Sequence, residues 1–130
     1  MTLGVGVRTG GDSKTNAALV ERLKRMANIA GRVSAEHPSD VGLELVFDVP
    51  GPLVSPPYSG VRTGTFWPDK RKLQVQIATP EGFASQAAQE EFLEKSVDEA
   101  VKAAARFLKR KNLTFNLPQL ESAAKALVRS

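Results

Sequence analysis

Few residues in this chain could carry chemistry. Among its 130 residues there is no cysteine and one histidine, His37. Disulfides, thiolate metal sites, iron–sulfur clusters and cysteine nucleophiles are thereby excluded, and with them the usual histidine-rich metal and acid/base sites. His37 stands beside Glu36, Ser39 and Asp40, but the members of a catalytic triad meet through the fold, not as sequence neighbours. A solvated turn in which Ser39 or Asp40 accepts hydrogen bonds is the simpler reading. Glu44 and Asp48 point to the same side of an alternating segment. Four residues of extended chain separate them by about 13 Å, whereas paired glycosidase carboxylates stand roughly 5 to 9.5 Å apart. They read as carboxylates on a solvated strand face.

Gly4, Gly6, Gly10 and Gly11 ahead of Ser13-Lys14-Thr15 suggest a phosphate loop, but the spacing fails. A Walker A loop needs glycine directly before Lys-Thr, where Ser13 stands, and its leading glycine would fall at Arg8. What remains is a glycine-rich lead into a helix whose N-terminus can hold an anion.

Binding chemistry has more support. Two basic clusters occur, Lys70-Arg71-Lys72 and Lys109-Arg110-Lys111, with Phe66 and Trp67 just ahead of the first. Aromatics beside bases are how single-stranded nucleic acid is held, yet no RNP, KH or basic-helix pattern accompanies them. Bases at a hairpin tip discourage edge pairing, and bases at a helix C-terminus complement its dipole. Between Pro50 and Gly60 lie four prolines and two glycines, a connection longer than most. Pro56-Pro57-Tyr58 fits neither WW nor SH3 ligand spacing, but it forms a stiff, aromatic-bearing surface that is ordered on binding at little entropic cost.

The elements that must position these residues follow from periodicity. Leu3, Val5 and Val7 alternate, so residues 1–12 read as a short edge strand or a flexible tail. Leu19, Leu23, Met26, Ala27 and Ala30 recur at helical spacing from Lys14 to Ala30, with Glu21, Arg22, Lys24 and Arg25 opposite, and Gly31 stands where a helix-ending residue belongs. Leu43, Leu45, Phe47 and Val49 alternate as a first strand; Val61–Trp67 and Leu73–Thr79 follow as second and third, joined through Pro68-Asp69-Lys70-Arg71. A long helix runs from about Ser85 to Lys111. It carries Leu93, Val97, Ala100, Ala104, Phe107 and Leu108 on one stripe, acids early and bases late. Pro118 suits the first turn of a last helix bearing Leu120, Ala124 and Leu127. Consecutive strands joined by a hairpin favour an antiparallel arrangement. The expected fold is α+β: a three-stranded antiparallel meander, with an optional N-terminal edge strand. An N-terminal helix, a long helix and a short C-terminal helix pack on one face.

Composition bounds the function. Hydrophobic residues make up 42% and charged residues 25% of the chain, an ordinary globular balance for one domain spanning 1–130. Net charge is +4 and the isoelectric point about 9.6, a mild excess that supports only a general anion preference. Nothing at the N-terminus reads as a signal peptide and no apolar run approaches a membrane span, so a cytoplasmic domain without membrane contact is expected.

The reading that follows is a non-catalytic protein-binding module without cofactor or metal. An inhibitor or immunity-type protein, which neutralises a partner protein, is one class of this size. Partner contacts are expected from Tyr58, Phe66, Trp67, Lys70, Arg71 and Lys72. A single-stranded nucleic-acid binder using the two basic clusters is the first alternative. A small enzyme whose site assembles only in the fold is the second. Trp67 depends on strand register: opposite Leu73 it is a core residue, whereas with Phe66 opposite Leu73 it faces outward as an anchor for a partner.

Overall fold

The structure, a computed structural model, describes residues 2–9, 17–36, 42–49, 60–64, 72–80, 83–112 and 115–129. In chain order these form β1 (Thr2–Thr9), α1 (Ala17–Glu36), β2 (Gly42–Val49), β3 (Gly60–Gly64), β4 (Lys72–Ala78), α2 (Gln86–Arg110) and α3 (Leu117–Val128). The four strands make one sheet in the order β1-β2-β4-β3.

The antiparallel meander is not what forms. β1 pairs parallel with β2, and β2 pairs parallel with β4. Only β3 runs antiparallel, against β4 at the far edge. Two physical causes account for the difference. Parallel neighbours need a long crossover, and α1 supplies it between β1 and β2, so the glycine-rich N-terminus is a full sheet member. In addition, β4 inserts between β2 and β3. Its Leu73, Val75 and Ile77 are fully buried, which suits an inner position. β3 carries two glycines and Arg62 in five residues and suits an edge.

The β3–β4 register matches neither arrangement considered for Trp67. Val75 lies opposite Thr63, Ile77 opposite Val61 and Gln76 opposite Arg62. Trp67 itself lies outside the described residues.

Odd-numbered residues of β1, β2 and β4 line one face. Leu3, Leu43, Leu45, Phe47, Leu73, Val75 and Ile77 join Leu19, Leu23 and Met26 of α1, Leu93, Val97, Ala100, Ala104 and Leu108 of α2, and Leu120, Ala124 and Leu127 of α3 in a single core. All three helices therefore cover the same face of the sheet.

Two helix boundaries carry local lessons. α1 does not stop at Gly31 but continues to Glu36. Gly31 is exposed, its φ is not left-handed, and nothing approaches within 4 Å of where its Cβ would be. A glycine terminates a helix only when the chain takes the left-handed turn there. α2 does end that way, at Asn112 with φ 55°, a residue type that tolerates this conformation. It begins at the N-cap Ser85, whose Oγ accepts a 3.1 Å bond from the Ala88 N–H. In α3 the Asn116 side chain caps Gln119 N–H at 3.1 Å, with Pro118 in the first turn.

Arg22 also departs from the sequence reading, which set it on the polar face of α1. It is 3% exposed. Its Nε donates to Glu90 Oε1 at 2.8 Å, and its Nη2 donates to Glu90 Oε2 at 3.2 Å and to the Val128 carbonyl at 2.9 Å. One guanidinium thus joins α1, the start of α2 and the end of α3.

Candidate functional site

Of the residues expected to meet a partner, Tyr58, Phe66, Trp67, Lys70 and Arg71 lie outside the described residues. Lys72 opens β4 opposite Gly42, and its side chain is likewise outside them. His37, Ser39, Asp40 and the Gly10–Lys14 segment share that position, so the structure brings none of these together.

What it does assemble is the second face of the sheet. Even-numbered positions place Gly4 and Gly6 on β1, Gly42, Glu44, Val46 and Asp48 on β2, and Gln74, Gln76 and Ala78 on β4. No described helix packs against this face, because all three share the opposite core. The Glu44 carboxylate lies above Gly6: a Cβ at Gly6 would stand 3.7 Å from Glu44 Cδ and 3.8 Å from Oε2. Glu44 Oε1 accepts a 2.8 Å bond from Gln74 Nε2, so one polar pair spans three neighbouring strands. Val46, the apolar residue at the centre, is flanked by Gly6 and Gln76 across the strands and by Glu44 and Asp48 along its own. The Asp48 carbonyl accepts from both the Thr79 N–H at 3.2 Å and its Oγ1–H at 2.6 Å, which ties the end of β2 to the end of β4.

This face is held by its ladder and presents two carboxylates and two amides, all half-buried, around Val46, which is itself only 9% exposed. Glu44 and Asp48 share the face, as their alternation implies, four residues apart on one extended strand. The sequence reading identified the polar sides of β2 and β4. It missed the contribution of Gly4 and Gly6, because nothing local shows that β1 lies beside β2.

Two further features belong to the helices. A groove of about 660 Å³ runs between α2 and α3, with Val97, Val101 and Ala124 at its floor and Glu91, Glu94, Asp98 and Lys125 on its rim. Several rim charges are neutralised within α2. Lys95 Nζ meets Glu91 Oε1 at 2.9 Å and Lys102 Nζ meets Asp98 Oδ2 at 3.0 Å. The Lys95 hydrogen bond and charge hold the Glu91 carboxyl below its ordinary pKa, and Glu91 in turn raises that of Lys95. The basic cluster Lys109-Arg110-Lys111 is exposed at the end of α2. Arg110 and Lys111 lie 5.9 and 5.8 Å from the centre of the Phe107 ring, within cation–π range.

Among the described residues no group of three or more histidine, cysteine, aspartate or glutamate side chains could hold a metal, and no described helix is long and apolar enough to cross a membrane. Comparison of the chain with protein-family models, with curated proteins and with solved structures gave no significant match.

Proposed function

We infer that this chain is a non-catalytic protein-binding module that meets its partner through the face of the sheet on which no described helix packs. The observation that carries the reading is the arrangement on that face: the half-buried polar side chains Glu44, Asp48, Gln74 and Gln76 set around the buried Val46 on a backbone held by paired strands. Polar side chains of this kind supply the direct hydrogen bonds that a protein interface carries, and a rigid sheet loses little freedom on binding. In sequence, Tyr58, Phe66 and Trp67 flank β3, the edge strand of this same sheet, and aromatic residues supply the anchors in such interfaces. A small inhibitor of a partner protein, an immunity protein for example, is the class this reading favours.

The test is site-specific photocrosslinking from position 76 in cells, with Asn28 on the exposed side of α1 as the control position. A discrete protein adduct from 76, absent from 28 and lost in a Glu44→Lys variant with unchanged circular dichroism, supports the reading. No adduct at 76, together with tight and steeply salt-dependent binding of a labelled single-stranded oligonucleotide, would replace it with the nucleic-acid alternative.

A further inference from the structure

The outer edge of β1 carries a hydrogen-bonding pattern that is satisfied at Leu3 and open at Val5 and Val7 among the described residues. Two observations fix which backbone groups point outward. The Asp48 carbonyl is directed at Thr79, on the β4 side. Even residues of β2 therefore bond toward β4 and odd ones toward β1. In a parallel ladder each odd residue of β2 bonds to the two neighbours of its partner, so the even residues of β1 face inward. Leu3 shows the complement directly. Its N–H donates to Ser34 Oγ at 2.9 Å and its C=O accepts from the same hydroxyl at 2.7 Å. The N–H and C=O of Val5 and Val7 share that outward direction, and among the described residues no side chain or strand meets them.

Protected edges carry lysine, proline, a bulge or a covering element. From Thr2 to Val7 there is no charge and no proline, and the pairing of β1 with β2 runs through eight consecutive positions without a bulge. Among the described residues the one covering group is Ser34, at Leu3.

We propose that β1 pairs antiparallel with β1 of a second copy of this chain about a two-fold axis at Gly6, joining two four-stranded sheets into one of eight strands. The strand is its own complement in this register. Val5 lies opposite Val7 of the other copy, and the reverse, so each outward N–H finds an outward C=O and four hydrogen bonds form. Gly6 faces its own copy at the non-hydrogen-bonded position, where Cα atoms approach to about 4.5 Å, and no side chain obstructs that approach. An axis at Val5 is closed, because it would set Leu3, whose groups Ser34 already holds, opposite Val7; with the axis at Gly6, Leu3 falls opposite Thr9, the last residue of the strand, and that outermost pair stays unmade. The contact is isologous and closes after two copies. Four backbone bonds make a small interface, so the dimer is weak and forms toward millimolar concentration, which corresponds to about −4 kcal/mol.

Sedimentation equilibrium of the full chain over increasing concentration should show monomer–dimer exchange. Val7→Pro removes an outward donor without touching the β2 ladder, a position where an edge strand accepts proline. It should stay folded by circular dichroism and remain monomeric. Amide exchange by NMR gives an independent reading: Val5 and Val7 should gain protection as concentration rises, while Gly4 and Gly6 are protected throughout. A monomer at every concentration overturns the proposal. Equally decisive against it are Val5 and Val7 amides protected independently of concentration, which would mean a segment of the same chain covers the edge, and a Val7→Pro protein that still dimerises.

Discussion

Replacing Glu90 by alanine should destabilise the fold more than replacing Arg22 by methionine, although Arg22 is the more deeply buried. The Arg22 guanidinium is 3% exposed and makes two bonds to Glu90, at 2.8 and 3.2 Å, and one to the Val128 carbonyl at 2.9 Å. Removing one partner of a fully buried pair costs about 3–5 kcal/mol, because the other charge is left without compensation. The Glu90 side chain is 37% exposed, so water entering its place rehydrates part of the guanidinium, and about 2–3 kcal/mol is the expected loss. Arg22→Met removes the charge together with its desolvation penalty, keeps the apolar stem, and lets Glu90 turn to solvent. It leaves the Val128 carbonyl one donor short, for a loss of about 1 kcal/mol. Urea unfolding of both single variants and the double variant measures the two losses and their coupling. The reasoning is refuted if Glu90→Ala falls within about 0.5 kcal/mol of the parent, as for an ordinary surface change, or if Arg22→Met is the more damaging of the two.

Leu93 is fully buried in the core, so Leu93→Ala should lose about 2–5 kcal/mol in the same assay. Gly31 is an exposed, right-handed helical residue with open space at its Cβ position, and Gly31→Ala should raise stability by about 0.5–1 kcal/mol in thermal or urea unfolding. The Glu91–Lys95 pair predicts a small pH signature. The Glu91 carboxyl is lowered by Lys95, so its contribution is present above the ordinary glutamate value of about 4.3 and is lost as pH falls through the folded value. Lys95 is raised by Glu91, so its share is full below about 10.4 and is lost as pH climbs through the folded value. Lys95→Met should therefore differ from the parent by a constant amount across neutral pH, with the two unfolding curves converging at both extremes.

Periodicity alone determined which sides of β2 and β4 enter the core. Leu43, Leu45 and Phe47, and Leu73, Val75 and Ile77, are buried as their alternation requires, since a strand shows its two faces at successive residues. The same local logic located α2 from about Ser85, and α3 with Pro118 in its first turn. It also marked Glu44, Asp48, Gln74 and Gln76 as the outer side that now forms the candidate site. Alternation is blind to neighbours, however. It reads the same whether a strand lies beside a parallel or an antiparallel partner, so it could not show that β4 enters between β2 and β3, or that β1 completes the sheet through Gly4 and Gly6. Those choices depend on connections of tens of residues and on which strand buries most apolar surface. Arg22 makes the same point for a single side chain. Glu21, Lys24 and Arg25 beside it in sequence are charged and exposed, and its burial accompanies bonds to Glu90, 68 residues away, and Val128, 106 residues away, whose oxygens tertiary packing alone brings within bonding distance.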